Sequence, residues 1–302
     1  MASPRMPALQ SPHRMTMPNV RLRVGRIPYI NCYPVYGAVD RGAVRLEATL
    51  VDGVPTELNL QMAAGALDVS VVSAVEYARE AKRYVLLPDL AISCDGPVRS
   101  VLLFSKRPAE ELDGRRVLVS RSSMTSVALL ELLFEHVWDV QPQFVPANAE
   151  IIDVERFGDD EHDARLVIGD AALLLGSRLR AHRRVPAGYQ HAYDLGEQWK
   201  RWTGLPFVFA VWVAQRTTPV ADALGVHATL IESRDWGLRH LEMLAEQASV
   251  TTGVDHHSCL EYLSGLDYGL SYHHLAGLTE FFRRLVLAGR VPNGSLAFLP
   301  AA

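Results

Sequence analysis

Several short stretches carry residue types suited to chemistry, and each falls where a strand pattern gives way to a loop or helix. In VLVSRSSMTSVALLELL, residues 117–133, an apolar run leads into Ser122, Ser123, Thr125 and Ser126, which open a helical pattern. Helix N-termini present unpaired N–H groups and the positive end of the dipole, so this loop suits a carboxylate or phosphate. Capping alone needs one hydroxyl; four within five residues favour an anion as well. No Walker or dinucleotide glycine pattern accompanies them, which points to a small carboxylate over a nucleotide.

In SCDGPVRSVLLFS, residues 93–105, Asp95 belongs to a turn and Ser100 opens an apolar strand. Ser100 has no recognisable His and Asp partners that would make it a nucleophile. IGDAAL, residues 168–173, is a strand end at which Gly169 lets a ligand approach the backbone and Asp170 is read as a helix cap that can also line a site. VGRIPYINCYPVYGAV, residues 24–39, begins as a buried strand. Where a helix should follow, it places Tyr29, Asn31, Cys32 and Tyr33 between Pro28 and Pro34.

The elements that must position these residues alternate along the chain. RLRVGRI, LDVSVVS, RRVLVS and DARLVIGD read as strands, and VPTELNLQMAAGA, AVEYAREAKR, TSVALLELLFEHV and AALLLGSRLRAH as helices. Ser73 and Glu76 have the spacing of a capping box. Such alternation predicts an α/β protein. LDVSVVSAVEYAREA and ARLVIGDAALLLGSR resemble each other, which predicts two lobes of like design.

SVLLFSKRPAEELDGRRV and GLPFVFAVWVAQR read as two crossovers between the lobes. The expected organisation is residues 19–105 with 207–302 as one lobe, 106–206 as an inserted second lobe, and 1–18 as a disordered tail. Ligands of such clamps sit between the lobes, against strand ends and helix N-termini. Trp199, Trp202 and Phe207 read as packing, and the C-terminal third reads as helical, including SRDWGLRHLEMLAEQA and HHLAGLTEFFRRLVLAG.

Composition narrows the function. With 302 residues, 49% apolar and 21% charged, the chain suits a globular protein of about two domains. Its net charge of −4, without basic runs, offers no footprint for nucleic acid. Three cysteines, Cys32, Cys94 and Cys259, form no CxxC pair and argue against disulfides and zinc. Adjacent histidines, His256/His257 and His273/His274, point about 100° apart on a helix and do not converge on a metal. The first eighteen residues lack the apolar core of a signal peptide, Met15 or Met17 offers an alternative start, and no run is long enough to span a membrane. The expectation is therefore a cytoplasmic protein with no metal and no cofactor.

Together, RIPYINCYPVY, CDGPVRS, SRSSMTSV, IGDAAL and DLGEQWKRWTGLPFVFAVW resemble the chorismate dehydratase family of the futalosine route to menaquinone, in colinear order from about Val24 to Trp212. The resemblance implies the two-lobed, type II fold of periplasmic binding proteins, used as a cytoplasmic lyase. The implied reaction removes water from chorismate to give 3-[(1-carboxyvinyl)oxy]benzoate. Asn31 and Ser100 are the implied catalytic positions. Tyr29, Ser123, Thr125, Ser126, Gly169 and Asp170 are the implied substrate contacts, with Tyr33 as a further wall residue. Oligomeric state stays open, a homodimer included.

Two alternatives are carried. The 1,4-dihydroxy-6-naphthoate synthase of the same pathway has a different sequence around the second crossover, where GLPFVFAVW matches the dehydratase. A non-catalytic binding or sensor protein for small carboxylates is disfavoured by the missing signal peptide and the absence of a DNA-binding segment.

Overall fold

The computed structural model describes residues 21–121, 123–147, 161–182 and 188–300. The expected tail and Ser122 lie outside the described residues. Two five-stranded sheets form the frame. The first contains β1 (Leu22–Arg26), β2 (Ala48–Asp52), β3 (Val69–Ser73), β4 (Tyr84–Cys94) and β10 (Phe207–Gln215), in the order β2-β1-β3-β10-β4. The second contains β5 (Val101–Ser105), β6 (Arg116–Ser120), β7 (Gln143–Ala147), β8 (Ala164–Ile168) and β9 (His191–Asp194), in the order β7-β6-β8-β5-β9.

The sheets share one plan. β1 runs parallel to β2 and β3, and β6 runs parallel to β7 and β8. In each, the fourth strand is antiparallel to its neighbours: β10 between β3 and β4, β5 between β8 and β9. β3 and β8 thus hold the same place in their sheets, and each feeds a helix, α3 (Ala74–Glu80) or α5 (Gly169–His182). These are the two stretches whose sequences resemble each other.

The chain leaves the first sheet after Cys94 and enters the second at Val101, so the crossing runs through residues 95–100 and not after residue 105. The run VLLFS is buried at every position. A strand without a polar face carries no signal of which sheet will accept it. The return passes through Gly204–Pro206 into β10.

Among the described residues the remaining α-helices are α1 (Tyr33–Asp40), α2 (Pro55–Ala63), α4 (Met124–His136), α6 (Leu195–Thr203), α7 (Val220–Arg239), α8 (Leu241–Thr252), α9 (His256–Ser264) and α10 (Tyr272–Leu287). The stretch SRDWGLRHLEMLAEQA is two helices, broken at His240, whose backbone leaves helical geometry (φ −123°, ψ 29°). Ser73 caps α3 by accepting from Glu76 N–H, but the Glu76 carboxylate accepts from Tyr84 and does not complete the box.

Both crossings are pinned. Asp194 caps α6 by accepting from Gly196 and Glu197 N–H, and the same carboxylate accepts from Val98 and Arg99 N–H at 3.0 and 2.6 Å. Burial pushes its carboxyl above the ordinary aspartate range, against the pull of those four donors. Arg99 takes a left-handed φ of 63° there. At the return, Trp199 is fully buried, donates its indole N–H to Pro206 O at 3.1 Å, and meets Phe207 and Phe281 edge-on.

Among the described residues no helix is long and apolar enough to cross a membrane, and no group of three or more His, Cys, Asp or Glu is placed to hold a metal ion. His256 faces Glu242, and His274 faces Asp267 and Ser271. Cys32, Cys94 and Cys259 are free thiols, all buried.

Candidate active site

A cavity of about 90 Å³ opens between the two sheets. Tyr29, Asn31, Ser100, Ser123, Thr125, Ser126 and Gly169 all line it, although they come from four separate parts of the chain. Apolar walls are supplied by Ile27, Pro55, Ile92, Val98, Ile168 and Phe209 among others.

Local sequence explains how each polar group arrives. Pro28 follows β1, and a short 3₁₀ turn, Ile30–Cys32, precedes α1, whose first turn carries Pro34. Ile30 and Cys32 are buried on either side of half-buried Asn31. Within the cavity wall, the amide oxygen of Asn31 is shielded from solvent and has no hydrogen-bond partner. An unpaired acceptor of this kind costs about 1–3 kcal/mol until a ligand donates to it.

Gly169 adopts φ 64° at the end of β8 and donates its N–H to Ser100 O at 2.8 Å. A Cβ at Gly169 would stand 3.6 Å from the Tyr29 ring, so the tyrosine of one lobe rests against the glycine of the other. Asp170 lies in the first turn of α5, inside the helix and not at its cap, and it is outside the cavity wall. Tyr33 is also outside it; its hydroxyl reaches Thr251 on α8 at 3.3 Å. Asp170 is one residue past Gly169 and Tyr33 two past Asn31, and each step along a helix turns the side chain by about 100°.

The hydroxyl cluster divides its work. Ser123 caps α4 by accepting from Ser126 N–H and is 2.7 Å from the Ser126 hydroxyl. Thr125, only 2% exposed, accepts from Val75 N–H at 3.1 Å, in the first turn of α3. The first turns of α3 and α4 therefore meet across the lobes. The start of α4, at the cavity wall, suits an anion.

Among the described residues the wall contains no Lys, Arg, His, Asp or Glu. The thiol of neighbouring Cys32 is pushed up well beyond the ordinary range, first by burial and then by Asp170, so it stays protonated.

One polar partner of the site was missed by sequence reasoning. Tyr262 on α9 donates to Ser100 Oγ at 2.9 Å and is almost completely buried. Burial pushes its phenol far up, which keeps it neutral. EYLSGLDY, residues 261–268, reads as an ordinary helix end, and nothing in it signals a contact with a residue more than a hundred positions earlier.

A family model described as menaquinone biosynthesis matches residues 22–286. The chain is 33% identical over 272 residues to a chorismate dehydratase of Thermus thermophilus, covering 86% of this chain and 96% of that one. It is 29% identical over 190 residues to a chorismate dehydratase of Campylobacter jejuni, covering 62% and 64%.

Among solved structures, protein AF1704 of Archaeoglobus fulgidus superposes with a TM-score of 0.73 at 21% identity, over 91% of this chain and all of that one. The alkanesulfonate-binding protein SsuA of Xanthomonas axonopodis, bound to MOPS, superposes with a TM-score of 0.62 at 15% identity, over 92% and 96%. At such identities the structural likeness carries the fold alone, that of the periplasmic binding proteins. The match to the Thermus thermophilus dehydratase over 86% of this chain, with that of the family model over residues 22–286, carries the rest: the chain belongs to the chorismate dehydratase family of menaquinone biosynthesis.

Proposed function

We propose that the chain removes water from chorismate to give 3-[(1-carboxyvinyl)oxy]benzoate, in the futalosine route to menaquinone. The observation that carries this reading is the cavity itself. It joins the hydroxyl-bearing start of α4, suited to a carboxylate, with Asn31 and Ser100 and, among the described residues, with no side chain that acts as a base at neutral pH.

The reaction needs little else from a protein. A proton leaves C3, hydroxide leaves C4, and the ring becomes aromatic, so the driving force resides in the substrate. The enolpyruvyl carboxylate of chorismate itself takes the C3 proton. Asn31 and Ser100 hold that carboxylate or the C4 hydroxyl in place. Donors at the start of α4 stabilise the charge that moves toward the ring carboxylate, and do so more in the transition state than before it. Tyr29 closes the wall against Gly169.

The assay is direct. Purified protein with chelator and no nucleotide or flavin should convert chorismate into a product lighter by one water, read by mass spectrometry. If chorismate is unchanged while a cyclic futalosine-derived substrate is consumed, the chain is the naphthoate synthase. Stoichiometric binding of chorismate without turnover would make it a binding protein.

A Thr125→Val variant tests the α3–α4 junction. It keeps the shape and removes the acceptor of Val75 N–H, leaving that N–H unpaired. If the junction also faces a substrate carboxylate, kcat/KM should fall by about one to two powers of ten, the worth of a charge-assisted hydrogen bond of about 1.5–3 kcal/mol. Unchanged kinetics with a lowered melting temperature would reduce the cluster to a structural clasp.

A further inference from the structure

Residues 99 and 100 of the first crossing are matched, rung by rung, with residues 261 and 262 of α9. Arg99 forms an ion pair with Glu261 at 2.6 Å, and Ser100 Oγ is 2.9 Å from the Tyr262 hydroxyl. From the other side, Asp194 holds the N–H groups of Val98 and Arg99. The serine at the cavity wall is thus held between α6 and α9.

The polarity of the Ser100–Tyr262 contact follows from what each hydroxyl has left. Among the described residues Ser100 is the one hydrogen-bond partner of the buried Tyr262 hydroxyl. If Ser100 donated, the phenolic proton would be buried without an acceptor, the costly arrangement. A phenol, with an ordinary pKa of about 10, is also a better donor and poorer acceptor than an aliphatic hydroxyl. Tyr262 therefore donates. Ser100 Oγ receives that bond, and the structure gives its own proton no acceptor among the described residues. It lies in the wall of the cavity, where a ligand oxygen can take the proton.

We propose that Tyr262 is a positioning residue for the dehydration: by donating to Ser100 Oγ it commits the serine to act as a donor toward an oxygen of bound substrate. This rests on the reaction proposed above. Asn31 and Ser100 then have opposite polarities, the amide oxygen an acceptor waiting for a donor and the serine a donor waiting for an acceptor.

A double-mutant cycle on chorismate turnover tests it, using Tyr262→Phe, Ser100→Ala and the pair. In the parent background Tyr262→Phe should lower kcat about three- to tenfold, the worth of one hydrogen bond, with KM changed less than about twofold. In the Ser100→Ala background the same change should alter kcat by less than about twofold, because nothing is left to orient. Melting temperatures separate this from loss of fold.

A second probe, 3-fluorotyrosine at position 262, keeps the shape and strengthens the donor, and should hold or raise kcat. Equal losses from Tyr262→Phe in both backgrounds, no loss in the parent background, or a fall of the fluorotyrosine protein to the phenylalanine level would each overturn the proposal. A parent protein that leaves chorismate unchanged sinks the dehydration reading and this one with it. Turnover by the parent with additive losses sinks this one alone.

Discussion

Replacing Asn31 with Asp should abolish nearly all chorismate turnover while the protein still folds. The change keeps the size of the side chain and puts a carboxylate into a wall that has no cation among the described residues. Chorismate brings two carboxylates of its own. Two like charges about 4 Å apart repel by about 4 kcal/mol at an effective dielectric of about 20, or about three powers of ten in rate.

The pH profile gives the sign. Burial without a partner disfavours the charged form, so the new carboxyl should titrate above the ordinary aspartate range. Below its pKa the neutral acid no longer repels the carboxylates of chorismate, and residual activity should be highest there and fall as pH rises through it. A general base at this position would behave in the opposite way, with activity appearing as the carboxyl ionises. Steady-state kinetics across pH, beside circular dichroism to confirm folding, decides between them. An Asn31→Asp protein as active as the parent would refute the substrate-as-base mechanism.

Two glycines of α7 should respond to the same substitution with opposite signs. A Cβ on Gly237 would lie 2.1 Å from Pro34 O and 2.6 Å from Pro34 Cα, backbone atoms at the start of α1. Alanine is worth up to about 1 kcal/mol over glycine in a helix interior. Overlap with backbone outweighs that gain, because α1 must move outward and core overpacking costs about 1–3 kcal/mol or more. Gly237→Ala should therefore lower the melting temperature by several degrees, at about 2–4 °C per kcal/mol for a chain somewhat smaller than this one. Since α1 follows directly on the Asn31 turn, it should also lower kcat/KM.

Gly225, three turns earlier in the same helix, meets nothing within 4 Å of the same Cβ position beyond its chain neighbours and its own helix backbone. Gly225→Ala should be neutral or stabilising by up to about 1 kcal/mol. Equal melting shifts in the two variants would show that α1 and α7 are not in close contact at Gly237.

Much of this molecule was legible before any coordinates. Alternation of apolar runs with 3.6-periodic stretches is a local property, so the strands at Leu22–Arg26 and Val69–Ser73 and the helix at Met124–His136 fall where the sequence puts them. The likeness of LDVSVVSAVEYAREA to ARLVIGDAALLLGSR foretold two sheets of one plan, because equivalent strands need equivalent flanking helices. Of the nine residues named for the site, Tyr33 included, seven line one cavity. Strand ends and helix starts are where a doubly wound fold leaves backbone groups open, and those places are marked by prolines, glycines and hydroxyls.

What the sequence did not contain is everything decided by pairing between distant segments. VLLFS is buried on both faces and belongs to the second sheet only because β8 and β9 accept it there. Asp170, one residue past Gly169, and Tyr33, two past Asn31, lie outside the cavity wall, because each step along a helical turn swings the side chain around the axis. Thr125 was read as one hydroxyl of a loop, but its partner is Val75 N–H of the opposite lobe, a contact that exists only once the lobes meet. Tyr262 had no mark at all, since a buried phenol on a helix is ordinary until the tertiary structure sets it 2.9 Å from Ser100. Local chemistry determined which residues stood ready at the ends of the elements. Packing of one lobe against the other decided which of them meet, because the energy of those contacts belongs to neither segment alone.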